Sequence, residues 1–322
     1  MIRSYVLHII LITALIFGCD YLIGKYFSFR FEKNTCEHAG GDLCAFLKSD
    51  EVYDTLIIGS SRVNTMINPN LLGKKVTNLS KPAKHFYYSV SVADLLYQYR
   101  RLPKKTLIVN IELEDVFIET EERLIEDVCY LKYYYGKNDF ITSTINERGI
   151  FERLKFIFSS YRFNGENFKL LTNPLQDICD KSENGFFPLI KGKNDKKRLK
   201  QGLLEMKKLH YTAENPHFDQ NIIHLKKLCD KARIQLIFIH GPNYFIPEYM
   251  QKGDLIMDRI CKKNGISFIN FSKLYDNEFH FEPLWYDHLH LNSDAANNYT
   301  LLVKEELKKL KKPATKNRGI IH

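Results

Sequence analysis

Short apolar, β-branched runs separated by helix-like stretches constrain the fold of this chain more than any other feature. Tyr53-Asp54-Thr55-Leu56-Ile57-Ile58, Lys75-Val76-Thr77-Asn78-Leu79, Thr106-Leu107-Ile108-Val109-Asn110-Ile111, Ile234-Gln235-Leu236-Ile237-Phe238-Ile239 and Ser267-Phe268-Ile269-Asn270 all have strand length. Between them, Tyr87 to Arg100, Leu225 to Arg233 and Ile256 to Asn264 carry apolar residues at helical spacing, and Pro103 closes the first. Strands that follow one another through helices pair in parallel, so the pattern predicts an α/β fold with a mainly parallel sheet covered on both faces. Ligands then belong at the carboxyl ends of the strands. The 322 residues suffice for one large domain, and 44% hydrophobic with 26% charged residues excludes disordered and low-complexity classes.

The stretch from Tyr5 to Gly24 is apolar and long enough to cross a hydrocarbon layer of about 30 Å as a helix. It reads as an uncleaved signal anchor over residues 1–28, followed by a connector over 29–52 and the α/β domain over 53–322. Gly18-Cys19 resembles the end of a lipoprotein box, with bulky Phe17 against it. Arg3 precedes the span while Lys25, Arg30 and Lys33 follow it, so a plain count of positive charge places the body in the cytoplasm. Of seven cysteines, Cys36 and Cys44 are near enough to close a short loop in an oxidising compartment, and no spacing matches a zinc site or a CxxC pair. No metal or cofactor is expected. Net charge is +9, concentrated at Lys191 to Lys200 and Lys304 to Lys316, without the zinc-finger or aromatic motifs of nucleic-acid binding. From Val116 to Asp219 the alternation lapses into an aromatic, basic stretch, expected to be a mostly helical insertion.

Two segments carry chemistry. Gly59-Ser60-Ser61-Arg62 directly follows the first strand, where a turn into a helix presents side chains at the sheet edge; it is either a helix N-cap or a nucleophile turn. Trp285-Tyr286-Asp287-His288-Leu289-His290-Leu291-Asn292 places a carboxylate three residues before an imidazole. A serine hydroxyl needs a base, and a histidine base needs a carboxylate to fix its tautomer. Ser61, Asp287 and His290 also stand in a chain order used by serine hydrolases, although a surface loop with ordinary histidines has the same composition.

Together the G-S-S turn and the D-H-L-H segment resemble the first and last blocks of the SGNH/GDSL hydrolase superfamily over roughly residues 53–115 and 222–307. The following N-L-S-K-P-A, the apolar amino terminus and the H-L-N ending look most like bacterial envelope members, including alginate O-acetylation proteins and the D-alanine transfer protein of teichoic acids. The resemblance implies a three-layer α/β/α fold, an extracytoplasmic body and carboxylic-ester chemistry without a metal. Ser61 would be the nucleophile, His290 the base and Asp287 its orienting carboxylate. The oxyanion would be held by N–H groups of Ser61 and Ala83, with Asn110 in place of the family's third-block asparagine, where Glu112 and Glu114 stand instead. Arg62, Asn243 and Tyr244 are candidate substrate contacts, with an internal ion pair or packing as the alternative. The implied function is a serine esterase or O-acyltransferase on acyl esters, acetyl first among them, of an envelope polysaccharide. The alternative is a non-catalytic protein of the same fold that binds or assembles beside a membrane acyltransferase or polysaccharide exporter.

Overall fold

The computed structural model describes residues 2–33, 41–117, 121–165, 167–172, 184–192, 195–208 and 213–311. They form two compact units: residues 53–86, 103–118 and 182–322 in one, residues 1–52, 87–102 and 119–181 in the other.

The first unit is an α/β body around a parallel sheet. Its strands are β1 (Thr55–Ile58), β2 (Val76–Asn78), β3 (Thr106–Asn110), β4 (Gln235–His240) and β5 (Ser267–Asn270), in the order β2-β1-β3-β4-β5. All four pairings are parallel. The fully buried side chains of Leu56, Ile57, Ile58, Leu107, Ile108 and Val109 explain the unbroken apolar runs, since strands covered on both sides have no polar face to alternate. The chain leaves β1 for β2 on one side and resumes at β3 on the other. That reversal makes the carboxyl edge between β1 and β3 the crevice where such sheets place ligands.

The edge strand β2 is shielded by Asn184-Gly185. Asn78 N–H donates to the Asn184 carbonyl, and the Asn184 amide donates to the Val76 carbonyl at 2.5 Å. Gly185 has φ +84°, and a Cβ there would lie 1.8 Å from the Asn78 carbonyl oxygen, so only glycine fits. The expected insertion thus contributes a segment to the sheet's own edge. The core of this unit joins Ile57, Ile108, Ile237 and Ile269 to Val63 and Met66 of the Ser61–Met66 helix and to Ala296, Tyr299 and Val303 of the Ser293–Lys311 helix.

The second unit gathers an amino-terminal helix, Ile2–Lys33, with short helices such as Asp139–Asn146 and Ile150–Lys155. Arg3–Lys33 is long and apolar enough to cross a membrane. The helix runs beyond Gly24 because Phe27 and Phe31 continue an apolar face, packed on Phe163 and Tyr133. Asp20, an acid inside the apolar run, accepts hydrogen bonds from the backbone N–H groups of Ser159 and Ser160 and from the Ser160 hydroxyl. Cys36, the expected partner of Cys44, lies outside the described residues; Cys44 is a buried free thiol.

Candidate active site

Ser60 and Ser61 stand where β1 turns into the Ser61–Met66 helix. Ser60 is the N-cap, its hydroxyl accepting from the Arg62 N–H, and Ser61 is the first helical residue. Its N–H therefore lies in the turn for which the helix supplies no acceptor. Gly59 permits the turn because a Cβ there would come 2.7 Å from the Asn110 Cβ, bringing the ends of β1 and β3 together.

The second segment is a short closed loop. Trp285 bridges Leu291, and the Tyr286 N–H donates to the His290 carbonyl at 2.9 Å. Asn292 ties the exit, its amide donating to the Pro283 carbonyl and its Oδ1 capping the next helix at Ala295. Within the loop, Asp287 Oδ1 accepts from the N–H groups of Leu289 and His290 at 2.8 and 2.9 Å. Burial alone would raise the Asp287 carboxyl, but these bonds and the His290 ring hold it below the usual carboxylate range.

The two segments meet. Ser61 Oγ lies 2.8 Å from His290 Nε2, and His290 Nδ1 lies 2.9 Å from both Asp287 oxygens. An ionised carboxylate only accepts, so Nδ1 carries the ring proton and Nε2 is the acceptor for the Ser61 hydroxyl. That is the tautomer in which an imidazole can take a serine proton. Both segments are held by one element. Thr300 of the Ser293–Lys311 helix accepts from the N–H of Asn68, two residues past the Ser61–Met66 helix, while Asn292 at the loop's exit caps the amino end of the helix that carries Thr300.

No protein-family model matches the chain, and no curated protein matches it.

The remaining expected site residues divide. Arg62 is buried, with Nη1 paired to Glu112 Oε2 at 2.8 Å and Nη2 donating to the Pro242 carbonyl. Asn243 is also buried, its amide donating to His240 Nε2 at 2.7 Å and to the Ser272 hydroxyl at 2.8 Å. Both brace the interior through these bonds, while Arg62 Nε and Asn243 Oδ1 are buried without a partner among the described residues. Tyr244 is half-buried against Trp285 and His280. Ala83 is exposed in a loop with φ +54°, whereas the N–H of neighbouring Ser80 is taken by Asn78 Oδ1. Asn110 is buried, and its amide donates to Glu112 Oε1 at 2.7 Å.

Glu112 is therefore the centre of a network that the sequence did not disclose. It accepts from the Ser60 hydroxyl, the Asn110 amide and the Arg62 guanidinium. Burial would raise its carboxyl, but Arg62 and these donors bring it down to about 2. A permanent anion is thus neutralised inside the protein. His240, fully buried at the end of β4, completes the layer: the Ile111 carbonyl accepts from its Nδ1 at 2.8 Å, and burial and the Arg62 charge push it down to about 4, so it is neutral. His288 packs on the Asp195–Met206 helix at Gly202, where a Cβ would lie 1.8 Å from its Nδ1.

Glu114 differs from Glu112. It is half-buried, and desolvation together with the negative charges of Glu112 and Asp115 pushes it up to about 7. A carboxyl with a raised folded value contributes stability that is fully present below its ordinary 4.5 and lost as pH rises through about 7. Glu114→Gln removes that loss. The variant is expected to exceed wild type by about 2–3 kcal/mol at pH 8 and to have no advantage at pH 4.5. Urea unfolding of the full-length protein in detergent, read by the buried single tryptophan Trp285, checks this; equal midpoint shifts at the two pH values would exclude a titrating Glu114.

Proposed function

We propose that the chain is a membrane-anchored serine acyl-ester hydrolase or O-acyltransferase of the SGNH/GDSL type, with the three-layer α/β/α arrangement of that superfamily. The observation that carries the reading is the continuous hydrogen-bonded line Ser61–His290–Asp287, drawn from segments 229 residues apart and set at the carboxyl edge of a parallel sheet.

In this reading the Ser61 oxygen attacks the acyl carbonyl while its proton passes to His290 Nε2. The imidazolium so formed is stabilised by Asp287. Negative charge on the carbonyl oxygen is met by the N–H groups of Ser61 and Ala83. Collapse of the tetrahedral species expels the alcohol, which takes the proton from His290 and leaves an acyl-Ser61. Water or a second alcohol then attacks with the same base, giving hydrolysis or transfer. An envelope polysaccharide is the substrate class proposed, with the body on the extracytoplasmic side.

The test is covalent labelling of the full-length protein by a fluorophosphonate, with the modified residue located by mass spectrometry. Labelling at Ser61 that disappears in His290→Ala supports the enzyme; an unlabelled wild type sinks it. The engagement of Asn110 by Glu112 favours a second reading. With that amide committed, the oxyanion site lacks one donor, a loss worth about 2.7–4 kcal/mol of transition-state stabilisation. A binding or assembly protein beside a membrane acyltransferase fits that deficit, and the same labelling experiment separates the two.

A further inference from the structure

We infer that the segment Ile150–Phe158 is a second membrane-contacting element, lying with its apolar face in the lipid interface beside the amino-terminal helix. This rests on the proposal that Arg3–Lys33 crosses a bilayer. Ile150, Phe151, Leu154, Ile157 and Phe158 recur at the spacing of one helical face, and all are exposed, Phe151 at 78%. Glu152 and Phe156 point the other way and are buried, so the face is built rather than frayed: Phe156 stacks on Tyr135 at 3.6 Å and Glu152 accepts from Tyr161 at 2.6 Å.

What covers the face follows from where it sits. Phe158 stacks on Phe17 of the amino-terminal helix at 5.5 Å, and Phe17 is inside the apolar run. At helical rise, Phe17 is about 12 Å along the axis from Lys25, the first charged residue after that run. A span that places Lys25 at the headgroups therefore carries Phe158 below them, at the deep limit reached by interfacial helices. Asp20 supports the same placement. Backbone N–H groups at that depth have no water to bond, and Asp20 satisfies those of Ser159 and Ser160. Exposed Arg148, Arg153 and Lys155 flank the face and match anionic headgroups, while Tyr21 and Tyr26 are exposed at the level where aromatic side chains favour the interface.

Because wild type has one tryptophan, buried Trp285, added tryptophans report their own surroundings. The full-length chain is placed in bilayers of phosphatidylcholine and phosphatidylglycerol, with or without bromine on the acyl chains. Leu15→Trp tests the span, Phe151→Trp and Ile157→Trp test the face, and Val52→Trp, on the segment next to the Lys48–Glu32 pair, serves as reference. Brominated lipid is expected to remove most of the added emission at positions 15, 151 and 157 and little at 52. Quenching at 15 with positions 151 and 157 behaving like 52 overturns the inference while leaving the span intact. Emission at 151 and 157 that is blue-shifted yet indifferent to bromine assigns the face to a protein partner and also overturns it. Failure at position 15 removes the span on which the inference rests.

Discussion

Ser61→Ala is expected to lower kcat for a p-nitrophenyl acyl ester by about 10⁴–10⁶-fold, or about 5–8 kcal/mol in barrier height. The size follows from the geometry: the Ser61 hydroxyl is the group His290 can deprotonate, and alanine leaves the base with nothing to activate. His290→Ala should be as damaging, and the double variant no worse than either single one, because residues that act as a unit do not contribute additively. Folding is not the cause of such a loss. The Ser61 side chain is bonded to His290 alone among the described hydrogen bonds, so its truncation should move the urea midpoint by no more than about 0.5 kcal/mol. A Ser61→Ala protein that turns over ester at the wild-type rate would remove the serine-enzyme proposal.

The largest effect on stability is expected at Arg62, a residue that truncation should hurt without any substrate present. Arg62→Met leaves Glu112 as a buried anion without its cation and the Pro242 carbonyl without a donor, a loss of about 3–5 kcal/mol. Adding Glu112→Gln removes the stranded charge while retaining an oxygen for Ser60 and Asn110. Arg62→Met with Glu112→Gln should therefore recover more than half of the lost stability, although it carries one more substitution. Urea midpoints for the four members of this cycle decide the point. If the double variant is less stable than Arg62→Met alone, the cost arises from packing of the arginine stem rather than from the uncompensated charge.

The strands were legible because they are buried on both sides: runs such as Leu107-Ile108-Val109 admit few other readings, and the α/β class with a parallel sheet followed from them. The partners of charged residues were not legible, since pairing depends on which strands become neighbours. Arg62 beside a candidate nucleophile reads equally as a ligand contact or an internal ion pair, and its partner is named only once β1 and β3 are adjacent, which brings Glu112 to it from 50 residues away. His240 closes β4, although a histidine before Gly241-Pro242 carries the local marks of a turn. The charge of Asp20 inside an apolar run likewise gives no hint of its partners Ser159 and Ser160. Asp287 and His290, by contrast, are three residues apart, and the short loop joining them makes their meeting a local property.

The Ser293–Lys311 helix has a further consequence through its hold on both halves of the triad. A serine on one segment and a histidine on another could drift apart whenever either loosened, leaving a folded but inert protein. Here Thr300 holds Asn68, just past the Ser61–Met66 helix, and the first turn of the helix that carries Thr300 is capped by Asn292 at the exit of the loop that carries Asp287 and His290. Tyr299 and Val303 of the same helix are also packed in the core of this unit. On the proposed esterase reading, the helix ties the site to the folding of the unit that carries it, so loss of ester turnover on heating should superimpose on the unfolding curve instead of preceding it.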